Sequence, residues 1–216
     1  MDSIAFAFCD AVVGTIKKLP RVDVPFRDAK WNKALQDHSA NRKCFLLFVS
    51  FSDGKWSYRL DNTEFGSNAL LTNMLQKIGP KYLRFNYVEV TDGWAEIETS
   101  KEELFVLIET LKPFLNFPRL SLYDLISEIP ESDLEQFLSL FAKVNISSFY
   151  SCCNRRSAIE FAKQLMQQDT MVKSITILRE RGLLSAAIAD CRATGTVVHV
   201  EPEGFPVYGT SLRFDR

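Results

Sequence analysis

The chain has 216 residues, 46% of them hydrophobic and 25% charged, so it is long enough to bury a core without metal or disulfide and too apolar to stay disordered. Its 26 basic residues against 27 acidic ones leave a formal charge of −1, which excludes a global field drawing it to nucleic acid or anionic membrane. Five cysteines, Cys9, Cys44, Cys152, Cys153 and Cys191, have neither metal-ligand nor redox spacing and read as reduced intracellular thiols.

The opening MDSIAFAFCDAVVGTI places Asp2 and Asp10 where a secretory signal needs basic residues and then an unbroken apolar core. No run reaches the ~18 apolar residues of a membrane span. The expected location is therefore intracellular, cytoplasmic or nuclear.

Residues 1–42 read as a small helical module. Phe8, Val12, Val13 and Ile16 form an apolar stripe, and Leu19-Pro20 is a helix stop. A second helix is predicted from about Asp28 to His38, with Trp31, Ala34, Leu35 and His38 on one side. Residues 43–61 predict a β-hairpin, because Asp53-Gly54 supplies the positive-φ residues of a tight turn between KCFLLFVSF and KWSYRLD. A loop with Gly66 and a helix over about Ala69 to Ile78 follow, closed by Gly79-Pro80.

From Lys81 onward strand and helix alternate. Leu83, Leu120, Phe149, Ile175 and Val198 anchor successive predicted strands at intervals of roughly 23 to 37 residues, with a loop or small hairpin over Trp94 to Thr99 lengthening the first. Helical stripes fill the gaps: Leu104, Leu107, Ile108 and Leu111; Leu134, Phe137, Leu138 and Phe141; Ile159, Ala162 and Leu165 or Met166; Leu184, Ile188 and Cys191. The implied class is α/β with parallel strands, residues 43–216 forming the hairpin and one α/β domain. Within the strands apolar and polar residues alternate: Arg84 lies between Leu83 and Phe85, Ser121 between Leu120 and Leu122, Thr176 between Ile175 and Ile177, His199 between Val198 and Val200. One sheet face is then polar, and the helices cover the other, as in a solenoid rather than a doubly wound sheet.

No reaction centre is legible, and no enzyme, cofactor or metal is expected. The two histidines, His38 and His199, pair with no nucleophile by spacing; a Cys191–His199 couple would have to form across a helix and a loop. The nine glycines never approach a phosphate-binding spacing. Arg155-Arg156 and Arg179 with Arg181 follow strands, where an open-face solenoid could meet an acidic partner and where solvated loop ends are the commoner explanation. Alternation places Arg84, Asn86, Ser121, Tyr123, Tyr150, Thr176 and His199 on the open strand face, the expected partner-binding surface.

Two resemblances accompany this reading. The N-terminal helical pair, with a tryptophan on its second helix, resembles a degenerate F-box, in which Ile4, Phe8, Val12 and Ile16 stand at positions that contact an Skp1-type adaptor, and Ala5 stands where most F-boxes have proline. Residues 80–200 resemble a short, irregular leucine-rich-repeat arc, through Phe117, Leu120 and Leu122 and through Val172, Ile175 and Ile177, with Asn154 at a repeat-asparagine position. The opening segment, NRKCFLLFVSFSDGKWSYRL and PRLSLYDLISEIPESDLEQFL together look like the nematode-type families in which an F-box-like start precedes an F-box-associated repeat domain. That resemblance implies a protein-interaction module: a substrate-recruiting subunit of an Skp1/cullin-type ubiquitin ligase, whose partners are the adaptor and a substrate protein. The alternative is a stand-alone binding or scaffold domain whose N-terminal helices only cap the arc.

Overall fold

The computed structural model describes residues 5–16, 19, 26–62, 77–91, 96–123, 128–152, 155–167, 172, 174–178, 188–189, 197–202 and 209–215. Ile4, Cys153, Asn154, Cys191, Arg179 and Arg181 lie outside the described residues, as do nearly all of the helices expected over 69–78 and 184–191.

Helix α1 spans Phe6–Thr15 and α2 spans Ala29–Asn41. α1 ends before the Leu19-Pro20 stop, and its apolar stripe is narrower than expected: Cys9 and Val13 are buried, whereas Phe8 is exposed. Asp28 caps α2 by accepting from the Lys30 backbone N–H at 2.7 Å, which satisfies a donor that the helix start leaves free. Cys9, Val13, Ala34 and Leu35 bury a small core of their own between the two helices.

The described strands form one mixed, mostly parallel sheet. β1 (Lys43–Ser52) and β2 (Lys55–Asp61) are the expected hairpin, with Asp53 at φ 52° and Gly54 at φ 77° supplying the turn. β3 is Leu83–Val90, β4 Ile97–Thr99, β5 Leu115–Leu122, β6 Ser148–Ser151, β7 Ser174–Leu178, β8 Val197–Pro202 and β9 Gly209–Asp215, in the spatial order β4-β2-β1-β3-β5-β6-β7-β9-β8. Strands β1, β3, β5, β6 and β7 are parallel neighbours in chain order, and antiparallel strands close both edges. The hairpin is thus continuous with the parallel array, because β1 pairs directly with β3.

One expected strand changes place. Alternation predicts Val198 in the strand next to Ile175, but its strand β8 pairs antiparallel with β9, and β9 stands between it and β7. Residues 209–215 supply the missing neighbour: the β8–β9 hairpin returns β9 to the edge of β7, where it satisfies that strand's backbone donors and acceptors.

Helices α3 (Lys101–Leu111), α4 (Glu131–Ser139) and α5 (Arg156–Gln167) pack on one face of this sheet. Trp56 of β2 stacks on Phe137 of α4 with centroids 6.1 Å apart and meets Phe105 of α3 edge-on at 6.5 Å. Phe149 of β6 meets Phe161 of α5 edge-on at 5.3 Å. Phe45, Phe85, Phe137, Phe141 and Phe149 are all fully buried, each contributing about 1.5–3 kcal/mol of apolar transfer. A Ser100–Glu103 capping box starts α3. Glu131, in the first turn of α4, accepts from the Ser157 backbone N–H at 2.6 Å and from Arg155 Nε at 2.8 Å, so one carboxylate opens α4 and caps α5.

Candidate protein-binding face

With α3, α4 and α5 on one side, the polar residues of the parallel strands line the other. Arg119 stands opposite both Tyr87 and Ser148, and Ser121 stands between Glu89 and Tyr150. The Arg119 guanidinium lies 5.7 Å from the centroid of the Tyr87 ring and 5.7 Å from that of Tyr150, and its Nε donates to Ser121 Oγ at 3.2 Å. Tyr123 and Tyr150 meet at 5.5 Å with a 50° tilt. The Cys152 thiol donates to the Tyr150 hydroxyl at 3.2 Å. The outcome is a braced aromatic and cationic cluster across β3, β5 and β6.

The Tyr87 phenol is held neutral. Burial pushes its pKa well above the ordinary tyrosine value; a hydrogen bond with Ser121 works against this, and those with Tyr123 and Glu89 add to it. The hydroxyl therefore serves as a fixed hydrogen-bonding group rather than as a base.

The structure redistributes the residues that alternation placed on this face. Tyr123, Tyr150 and Thr176 lie on or beside it, Thr176 directly opposite Tyr150. Ser121 is on the face but fully buried beneath its neighbours, so it orients Arg119 instead of meeting a partner. Arg84 is drawn away to the N-terminal helices, donating from Nη2 to the Gly14 carbonyl at 2.7 Å. Asn86 has no cross-strand partner: Phe85 pairs with Phe45 and Leu115, Tyr87 pairs with Leu46 and Arg119, and Asn86 is the residue skipped between them. His199 sits at the sheet edge opposite Arg213.

Sequence reasoning passed over Tyr87, Arg119 and Cys152. Arg119 and Cys152 were findable, because each is two residues from one already assigned, Ser121 and Tyr150. Tyr87 was not: unbroken alternation from Phe85 would have sent it into the core, and the bulge inverts the pattern.

Two other features lie toward the N-terminal helices. A cleft of about 530 Å³ is bounded by Asp10, His38, Lys81, Arg84, Phe114 and Phe117, the last with a left-handed φ of 51°. His38 is buried and pairs through Nε2 with Asp10 at 3.1 Å, and Asp10 also meets Lys81 at 3.3 Å. Burial lowers the His38 pKa, Arg42 and Arg84 lower it further, and Asp10 opposes them, so the ring is neutral near pH 7. On the far side of α1, Phe8 is 55% exposed and meets Trp31 edge-on at 6.2 Å, while Phe26, 48% exposed, flanks the same tryptophan. Val12 and Ile16 are half-buried.

Among the described residues no group of three or more His, Cys, Asp or Glu could hold a metal ion, and no helix is long and apolar enough to cross a membrane. Comparison of the chain with protein-family models, with curated proteins and with solved structures finds no match.

Proposed function

We propose that this chain is an intracellular protein-interaction module whose open sheet face receives a partner protein. The observation that carries this reading is the cluster of Tyr87, Arg119, Tyr123 and Tyr150 on the sheet face that α3, α4 and α5 leave uncovered. Tyrosine and arginine are among the side chains that most often anchor protein interfaces, since each offers a large body that packs and a polar tip that hydrogen-bonds.

The N-terminal hairpin then serves as the dock for an Skp1-type adaptor, and the chain is a substrate-recruiting, F-box-like subunit of an Skp1/cullin-type ubiquitin ligase. Supporting this role is the solvent exposure of Phe8 and Phe26 around Trp31, an apolar patch on a surface that packing against the sheet does not use. Co-expression with an Skp1-type adaptor followed by size-exclusion chromatography tests it. Co-elution abolished by Phe8→Asp is the expected result.

A second reading is favoured by how firmly the hairpin is tied down. Arg84 reaches the Gly14 carbonyl, and Arg42 donates to the carbonyls of Ile16 at 2.5 Å and Val13 at 2.8 Å. Such ties suit a cap that covers the end of the arc in a stand-alone binding domain. A folded chain that elutes alone beside the adaptor selects this reading.

A further inference from the structure

The open face also carries information about what it receives, and this inference rests on that face being the receiving surface. Arg119 is exposed, yet no carboxylate among the described residues lies within ion-pair distance of it. Arg59, Lys101 and Arg155, by contrast, are each matched to an acid. The Arg119 Nε is committed to Ser121, and its plane is fixed between the Tyr87 and Tyr150 rings, which leaves the two Nη nitrogens as an oriented fork of donors.

Among the described residues no acid is paired with that fork. The register row of Arg119 runs through Ser148, Ser174, Arg213 and His199 on one side, without an acidic residue, and through Tyr87 and Leu46 to Asp61 on the other, where Asp61 is paired with Arg59 at 3.4 Å. Glu89, on the neighbouring β3, stands opposite Ser121 in the adjoining row and is hydrogen-bonded with Tyr87. One braced guanidinium with no acidic partner among the described residues is complementary to a carboxylate, whose two oxygens match the fork and whose single charge it neutralises.

We propose that Arg119 receives a side-chain carboxylate of an acidic protein segment laid across β5 and β6, with Tyr87 and Tyr150 holding the guanidinium in place. The rings flank the guanidinium at 5.7 Å on either side and hold it in place while it stays open to an incoming carboxylate. Ser121 positions Arg119 through Nε and does not touch the ligand.

The test uses the full chain and a fluorescent octapeptide alternating glutamate and serine, with its glutamine counterpart as control. Anisotropy reads affinity, and amide hydrogen exchange reads where the peptide lies. The glutamate peptide is expected to bind at least about tenfold more tightly than the glutamine peptide and to protect β5 and β6. Arg119→Met, which keeps an apolar stem between the two rings, is expected to erase that preference with the melting temperature unchanged; Arg119→Lys is expected to restore part of it. Equal binding of the two peptides, or a preference that survives Arg119→Met, overturns the carboxylate assignment while protection of β5 and β6 still upholds the receiving face. Protection confined to other elements, or no binding of either peptide, overturns the inference, and the first of these outcomes overturns the receiving face as well.

Discussion

Arg84 of β3 and Gly14 of α1 are 70 positions apart in the chain and are joined by a 2.7 Å hydrogen bond from the guanidinium to the main-chain carbonyl. The bond satisfies a carbonyl in the last turn of α1, where a cation is also favoured by the helix dipole. It ties the helical hairpin to the sheet and removes Arg84 from the open face.

Arg84→Met is expected to destabilise the chain by about 1.5–3 kcal/mol, the range for a hydrogen bond from a charged donor, with early proteolytic cleavage between α1 and α2. Gly14→Ala is expected to be tolerated: the added Cβ would meet Arg84 Nη2 and His38 Cε1 at 3.6 Å, ordinary contact distance. Replacing a helical glycine in this way stabilises by up to about 1 kcal/mol. Urea titration of the two variants checks both values.

His38 makes stability depend on pH in a stated direction. Its folded pKa lies below the ordinary 6.5, so the unfolded chain binds the proton more readily. Its neutral form supports the fold fully above pH 6.5, and that support is lost as pH falls below 6.5 toward the folded pKa. Urea midpoints are expected to be level from about pH 7 to 8 and to decline below about 6.5, with His38→Gln flattening the part of the decline that this group contributes.

Trp56 joins the hairpin to two helices through its contacts with Phe105 and Phe137. Trp56→Ala is expected to cost about 3–5 kcal/mol, the range for deleting a buried aromatic that its neighbours cannot replace. Thermal unfolding followed by near-ultraviolet circular dichroism reads the loss.

Thiol accessibility separates the described cysteines. Cys44 is exposed, whereas Cys9 and Cys152 are buried, the latter bonded to the Tyr150 hydroxyl. Alkylation near neutral pH followed by peptide mapping is expected to label Cys44 first, with Cys9 and Cys152 labelled only as the chain unfolds. Fast labelling of Cys152 in the folded chain would mean that the Tyr150 cluster opens.

The local elements were legible because their signals are short-range. Asp53-Gly54 can only make a tight turn of the observed hand cheaply, and Leu134, Phe137 and Leu138 recur at the helical period and are buried together. The alternation about Leu120 and Ile175 likewise put one apolar face toward the helices. Much of the open sheet face was legible by the same rule, which reached Tyr150 and Thr176 and stopped two residues short of Arg119, at Ser121.

What the sequence by itself determined is therefore the α/β class, the hairpin, the helical stripes of α3 to α5 and the two-faced character of the parallel strands, all set by residues within a few positions of one another. The tertiary structure alone decided that β9 slips between β7 and β8, that the bulge at Asn86 turns Tyr87 outward, and that Arg84 leaves its own face to bind α1. The physical reason is common to the three. Each is a choice among partners far apart in the chain, settled by which backbone edge or carbonyl still needs a hydrogen bond once the helices are packed, and no periodicity records that choice.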